Sequence, residues 1–205
     1  MELRLPTARE LTTAYRRDLK AAFPAEELAP LSSLRRAIGK GTYRPWCLFD
    51  GDELVGEAFA YLPAPGFVLF DYLCVTAARR NAGLGAALVA RLLAAERGSV
   101  VFGEAEIPAY APDPALAARR LAFYRRCGAR QAGYDMALFG ALFHTLYWAD
   151  APLADDALRT VHERAWRQRL PGFVYRRQVV IPWERAMGRP KKFAWSEGTD
   201  EDPGV

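Results

Sequence analysis

Val75-Thr76-Ala77-Ala78-Arg79-Arg80-Asn81-Ala82-Gly83-Leu84-Gly85-Ala86 joins two apolar runs of different character, and its reading decides the fold. Upstream, Phe67 to Val75 (FVLFDYLCV) is a nearly continuous apolar run with Asp71 as its one charge. That is the pattern of a central strand buried on both faces. Downstream, Gly83 to Glu96 is rich in Ala and Leu and reads as a strong helix. Glycines between a strand and a helix let the backbone approach a ligand closely. The exposed N–H groups and the positive end of the helix dipole then favour a phosphate. Arg79 and Arg80 add positive charge at the entrance. The competing reading of Gly-x-Gly here is simple close packing.

Two common phosphate loops are excluded. A dinucleotide fingerprint needs a small residue three places after the second glycine, where this chain has Leu88. A Walker loop needs Gly-Lys-Ser/Thr, which is absent. What remains, Arg80-x-x-Gly83-x-Gly85, resembles the pyrophosphate-binding motif of the GNAT superfamily of acetyl-CoA-dependent N-acyltransferases. Arg120-Leu121-Ala122-Phe123-Tyr124-Arg125-Arg126-Cys127-Gly128 is similar to that superfamily's second signature, a helix ending Phe-Tyr-x-x-x-Gly. The two come in the expected order, separated by one helix and one strand. The resemblance covers about Leu54 to Trp148, and more loosely the N-terminal helices. The chain departs from the pattern at Ala77 (commonly proline), Asn81 (commonly glycine), Ala82 (commonly basic) and Ala129 (commonly aromatic). Loss of the basic residue at position 82 weakens the expected pyrophosphate grip, for which Arg79 is a candidate substitute.

The rest of the chain fits that order. Leu3 to Leu5 reads as a short strand, Ala8 to Phe23 as a helix ended by Pro24, and Ala25 to Ile38 as a helix closed by Gly39. Tyr43 to Phe49 and Glu53 to Tyr61 form a predicted hairpin around Asp50-Gly51, and Pro63-Ala64-Pro65-Gly66 is expected to break the chain. Ser99 to Ile107 is a strand and Pro114 to Cys127 a helix stopped at Gly128. Gln131 to Phe139 and Leu142 to Trp148 are closing strands around Gly140. Leu153 to Leu170 is helical, with Leu158, Val161 and Ala165 on one face, acids in its first turn and Arg167 and Arg169 in its last. Phe173 to Ile181 is expected to be one more strand. The fold class is α/β with a mixed sheet, in the GNAT-like acyl-CoA N-acyltransferase arrangement, with a C-terminal helix–strand extension. Residues 1–150 are expected to form the acetyltransferase domain, 151–188 an extension packed on it, and 189–205 a mobile tail.

The resemblance implies a direct transfer. An uncharged amine attacks the thioester, the oxyanion is stabilised, and the departing thiolate is protonated. It implies that the strand at Leu73, Cys74 and Val75 splays from its neighbour, leaving backbone groups for the pantetheine arm and the thioester oxygen. Arg80, Asn81, Ala82, Gly83, Leu84, Gly85 and Ala86 would hold the pyrophosphate. Tyr124 is the candidate general acid, since a phenol of pKa about 10 can donate to a thiolate whose conjugate acid is about 8.5; the alternative is packing near the coenzyme.

Glu104 and Glu106 are the candidate bases. Strand period puts them on one face, roughly 6.6 Å apart, in an otherwise apolar strand. One could accept a proton and the other grip a cationic amine. The alternative is that both are solvated or paired with an arginine of the second-signature helix. Asp71 and Glu57 are weaker candidates, and a buried carboxylate with an arginine partner is the plainer account of Asp71. Cys74 reads as a buried apolar residue rather than a nucleophile, as do Cys47 and Cys127. His144 and His162 lack metal-ligand spacing and read as incidental.

Composition bounds the remaining choices. The 205 residues are 51% hydrophobic, 12% aromatic and 25% charged, ordinary for a soluble globular chain. Three cysteines at wide spacing argue against a disulfide framework. The start Met1-Glu2-Leu3-Arg4-Leu5-Pro6 lacks an apolar signal core, no run approaches a membrane span, and a cytoplasmic location is expected. The net charge is +4, with Arg159, Arg164, Arg167, Arg169, Arg176 and Arg177 clustered late. A solvated helix face explains that cluster better than nucleic-acid binding, since no RNA-binding signature accompanies it. The expected function is N-acetyl transfer from acetyl-CoA, without a metal, to a primary amine of a small molecule or protein. The alternative is a catalytically silent acyl-CoA-binding module. A homodimer through Tyr147-Trp148 and the extension is a further expectation, tested by monodispersity at high concentration.

Overall fold

A computed structural model of the chain describes residues 1–25 and 27–188; the expected tail, 189–205, lies outside the described residues. Backbone contacts divide the chain into two compact units. The first holds Met1–Gly103, Arg126–Ala129 and Tyr147–Pro152. The second holds Glu104–Arg125, Arg130–Leu146 and the chain from Leu153 onward.

In the first unit, β1 (Glu2–Arg4), β2 (Tyr43–Asp50), β3 (Glu53–Ala64) and β4 (Phe67–Val75) pair antiparallel in sequence order. Gly51 supplies the positive φ for the β2–β3 turn. The predicted break at Pro63 is instead strand. β3 runs on to Ala64, and the ladder with β4 shifts register between Tyr61 and Ala64. Such a bulge tolerates a proline, which cannot donate to the ladder. The turn itself is Pro65-Gly66, with Gly66 at φ +77°.

After β4 a turn leads into α4 (Leu84–Ala95), and the chain returns parallel to β4 as β5 (Val100–Glu106). A parallel neighbour requires such a crossover. Leu84, Leu88, Val89 and Leu92 of α4 are buried. Gly56 lets the helix lie close: a Cβ there would sit 3.1 Å from the Cys74 carbonyl and 3.4 Å from Leu88 Cδ2. Phe49, Phe59, Leu69 and Phe102 are among the fully buried core side chains, each worth about 1.5–3 kcal/mol in burial.

The N-terminal helix is interrupted. α1 (Ala8–Thr13) opens on a Thr7/Glu10 capping box, then continues as a π-helix over Ala14–Leu19 and a last α-turn, α2 (Lys20–Ala22). The second expected helix is shorter than predicted, α3 (Leu31–Gly39), because Pro30 sets its start.

The second unit takes residues 104–106 of β5, residues 141–146 of β7 (Ala141–Trp148), β6 (Arg130–Leu138) and β8 (Val179–Trp183), in the strand order β5, β7, β6, β8. β6 and β7 join through Phe139 (φ +48°) and Gly140 (φ +78°), a pair of left-handed residues suited to a tight hairpin. The second-signature helix is α5 (Pro114–Arg126). α6 (Asp155–Arg169) buries Leu158, Val161, His162, Ala165 and Trp166 as one stripe. The expected strand Phe173–Ile181 is corrected. Pro171 starts a short helix, α7 (Gly172–Gln178), which buries Val174 and Gln178 one turn apart, and only then does β8 begin. Met136, Trp166 and Val179 form one apolar cluster of this unit, and Ile107, Ala137, Leu142 and Trp183 another.

Candidate coenzyme loop and carboxylate cluster

The loop that follows β4 has the backbone of an anion cradle. Ala77–Arg79 form one 3-10 turn, Arg80 is extended, and Asn81 and Gly83 both have positive φ, +64° and +75°. Asparagine is among the side-chain-bearing residues best tolerated in that region, which accounts for Asn81 where a glycine is common. Gly83 is the N-cap of α4, and no side chain caps the helix. Its first N–H groups are thus left for a ligand or solvent, at the positive end of the dipole. Asn81, Ala82, Gly83 and Ala86 are exposed, Gly85 is half-buried, and Leu84 anchors the helix in the core. A phosphate fits this arrangement.

The two arginines have separate tasks. Arg79 spans two acids of the β2–β3 turn, 2.6 Å from Asp50 and 2.5 Å from Glu53. Its charge is already compensated, so it is no substitute for the basic residue missing at Ala82. Arg80 is exposed and its Nε donates to the Val75 carbonyl at 3.3 Å, which ties the guanidinium to the loop.

β4 and β5 pair over three rows only: Phe67 with Val100, Val68 with Val101, and Leu69 with Phe102. Beyond them β4 continues through Leu73, Cys74 and Val75 paired to β3. The ring of Phe70 occupies the space beside Gly103, so closely that a Cβ there would fall 2.3 Å from the ring. Phe70 in turn packs edge-on against Trp148, with centroids 5.5 Å apart.

Under this stretch of β4 lies a buried acid. Glu57 is fully buried and accepts the Cys74 thiol at 2.9 Å, while its other oxygen has no hydrogen-bond partner. Burial pushes Glu57 up to about 9; Asp18 adds to this and the thiol opposes it. Burial and the same glutamate push the Cys74 thiol well above its ordinary value, so it is no nucleophile. Asp18, from the π-helical segment, is gripped by Arg17 at 2.7 Å. Asp71 accepts from the Tyr43 hydroxyl at 2.7 Å.

In the second unit the two candidate bases take different partners. Glu106 is partly exposed and lies 3.4 Å from Arg120 of α5, the pairing weighed against catalysis. Glu104 accepts two donors from α6 on the same oxygen: His162 Nε2 at 2.7 Å and Trp166 Nε1 at 3.0 Å. Burial pushes Glu104 up, but the two donors and the nearby Arg169 outweigh it and hold the acid below its ordinary value. His162 is fully buried, and its Nδ1 lies 3.2 Å from the Tyr134 hydroxyl. Sequence reading passed over His162 because it sought metal spacing. The available signal was helical phase, since position 162 falls inside the stripe 158, 161, 165. His144 is paired with Asp135 at 2.8 Å. Tyr124 is half-buried on α5, its ring 5.2 Å from that of Phe123. Among the described residues no group of three or more His, Cys, Asp or Glu is placed to hold a metal ion, and no helix is long and apolar enough to cross a membrane.

No family model and no curated protein matches the chain by sequence. Solved structures do match. A protein from Bacteroides thetaiotaomicron assigned to the GNAT family of acetyltransferases superposes with a TM-score of 0.65 at 20% identity, over 80% of this chain and 95% of that one. The ribosomal-protein-S18-alanine N-acetyltransferase of Escherichia coli gives 0.57 at 14%, over 76% and 97%. A spermidine N-acetyltransferase chimera from Vibrio cholerae and hSSAT gives 0.57 at 12%, over 72% and 95%. The chain has the GNAT acetyltransferase fold.

Proposed function

We propose that the protein is an N-acetyltransferase that moves the acetyl group of acetyl-CoA to a primary amine of a small molecule or protein. The observation that carries this reading is the uncapped start of α4 behind two left-handed residues, Asn81 and Gly83, directly after a strand whose ladder to β5 stops after three rows. The thioester supplies an activated acyl carbon. Arg80 and the N–H groups from Gly83 to Ala86 bind the pyrophosphate, and the backbone of Leu73, Cys74 and Val75 orients the pantetheine arm. The amine loses its proton to a carboxylate, Glu104 or Glu106, directly or through water. Its nitrogen bonds to the acyl carbon, the carbon–sulfur bond breaks, and Tyr124 gives the leaving thiolate a proton. Glu104, held as an anion, also suits a cationic amine.

Calorimetry with acetyl-CoA on the wild type and Gly85→Glu tests the donor assignment. Binding that the variant abolishes supports it, and absence of wild-type binding sinks it. An amine screen follows, with a polyamine and an N-terminal alanine peptide as first probes, since structural neighbours bear those names. Binding without turnover on any amine would favour the silent acyl-CoA-binding module.

A further inference from the structure

We propose that His162 and Trp166, both on α6, are positioning residues for Glu104. Their N–H groups occupy one carboxylate oxygen and so present the other, as a fixed anion, to the acceptor amine. The inference rests on the reading of Glu104 as a reacting carboxylate.

Both donors reach the same atom, Oε1, at 2.7 and 3.0 Å, and Oε2 takes neither. The Glu104 side chain keeps 13% of its surface exposed, whereas the His162 side chain keeps none. The histidine therefore cannot meet a substrate itself and acts only through the acid. Its orientation is set from both sides. A carboxylate can only accept, so Nε2 carries the proton in that bond. Nδ1 lies 3.2 Å from the Tyr134 hydroxyl, accepting from it when the ring is neutral and donating to it when the ring is protonated. Burial pushes the Tyr134 phenol well above its ordinary value, so this donor stays protonated. The result is a phenol–imidazole–carboxylate chain running from β6 through α6 to β5. The other groups bearing on Glu104 are the Trp166 indole and the Arg169 guanidinium, both on α6. That guanidinium stacks over the Trp166 ring at 4.6 Å. Hydrogen bonds to the charged form favour it, and burial opposes it. Remove the donors and burial is opposed by the Arg169 charge alone. α6 thereby adds to strand β5 what the strand cannot supply: a fixed rotamer and a fixed charge.

The test is a titration of the full chain carrying 13C-labelled glutamate, with the Glu104 carboxyl resonance identified by its loss in Glu104→Gln. In the wild type it titrates below an ordinary glutamate. His162→Leu raises it, and Trp166→Phe raises it by less. His162→Gln, whose amide N–H donates from the same reach, keeps it low. If His162→Leu does not fold, Trp166→Phe decides, because it removes one donor and keeps the ring. Glu104 titrating alike in the wild type and in these variants overturns the inference. With the amine that the wild type acetylates, the acid limb of the kcat/KM profile moves up in His162→Leu and returns in His162→Gln. An inactive Glu104→Gln together with unmoved titrations overturns the inference alone. A fully active Glu104→Gln overturns the reading of Glu104 as the reacting carboxylate, and the positioning role falls with it.

Discussion

Arg79 and Arg80 are neighbours with the same charge, and their partners separate them. Arg79 is forked between Asp50 and Glu53, a solvent-screened surface bridge that contributes little to stability. Arg80 is anchored through one nitrogen to the Val75 carbonyl. Arg79→Gln should therefore leave acetyl-CoA affinity within about twofold, while Arg80→Gln should weaken it about tenfold, the loss of one charge-assisted contact. Calorimetry on both variants decides; equal losses would mean that the Asp50–Glu53 fork opens on binding. A second residue-scale case is Glu57, whose ordinary pKa of 4.5 is raised to about 9 by burial. The folded state keeps a proton that the unfolded chain releases above pH 4.5. The stability it contributes is whole below that pH and declines as pH rises toward 9. Glu57→Gln, which never ionises, should come close to the wild type at about pH 5 and exceed it by about 5 kcal/mol at about pH 8.5. Denaturant unfolding at the two pH values checks this, and parallel curves would show that Glu57 is ionised in the folded chain.

At the scale of elements, the β4–β5 ladder ends where one ring lies against one glycine. A methyl group at Gly103 would overlap Phe70, which is itself wedged against Trp148. Gly103→Ala should cost about 1–3 kcal/mol by overpacking, read as a lower denaturation midpoint. Gly103→Ala combined with Phe70→Leu should recover part of that loss, because the wedge is then smaller. An unchanged midpoint in the single variant would mean that the ring moves aside freely. The sequence made β4 legible to the residue, since a strand buried on both faces leaves an unbroken apolar run. The loop was legible because glycine and asparagine mark its left-handed positions. The splay expected at Leu73 to Val75 came from the family resemblance alone; the row where the ladder stops, beside Phe70 and Gly103, was not legible because those residues are far apart in sequence. α7 was misread because Val174 and Gln178 supply only one helical repeat, too short to outweigh the β-rich Phe173 to Ile181. His162 was passed over because its partners, Glu104 and Tyr134, come from other strands and leave no mark in its own neighbourhood.

For the molecule as a whole, the question is what the chain from Leu153 onward is for. Superposed acetyltransferase structures match 72–80% of this chain while covering 92–99% of their own. A portion of the sequence is therefore additional to the shared fold, and residues 151–188 are expected to be an appendage packed on the same domain. Backbone contacts group α6, α7 and β8 with β6, with residues 104–106 of β5 and with residues 141–146 of β7. β8 covers the edge of β6, and Trp166 and Val179 complete the cluster around Met136. Burial of Leu158, Val161, Trp166 and Val179 contributes about 1.5–3 kcal/mol each. Together these rival the entire net stability of a domain, about 5–15 kcal/mol. Truncation after Pro152 should therefore not yield a minimal acetyltransferase. Hydrogen exchange should show lost protection across β6, whose ladder groups then face solvent, and the bared edge should make the fragment aggregate. A monodisperse fragment with wild-type protection of β6 would restore the appendage. It would also imply that Glu104 folds correctly without its donors, so the same fragment bears on whether α6 is part of the catalytic apparatus or packed beside it.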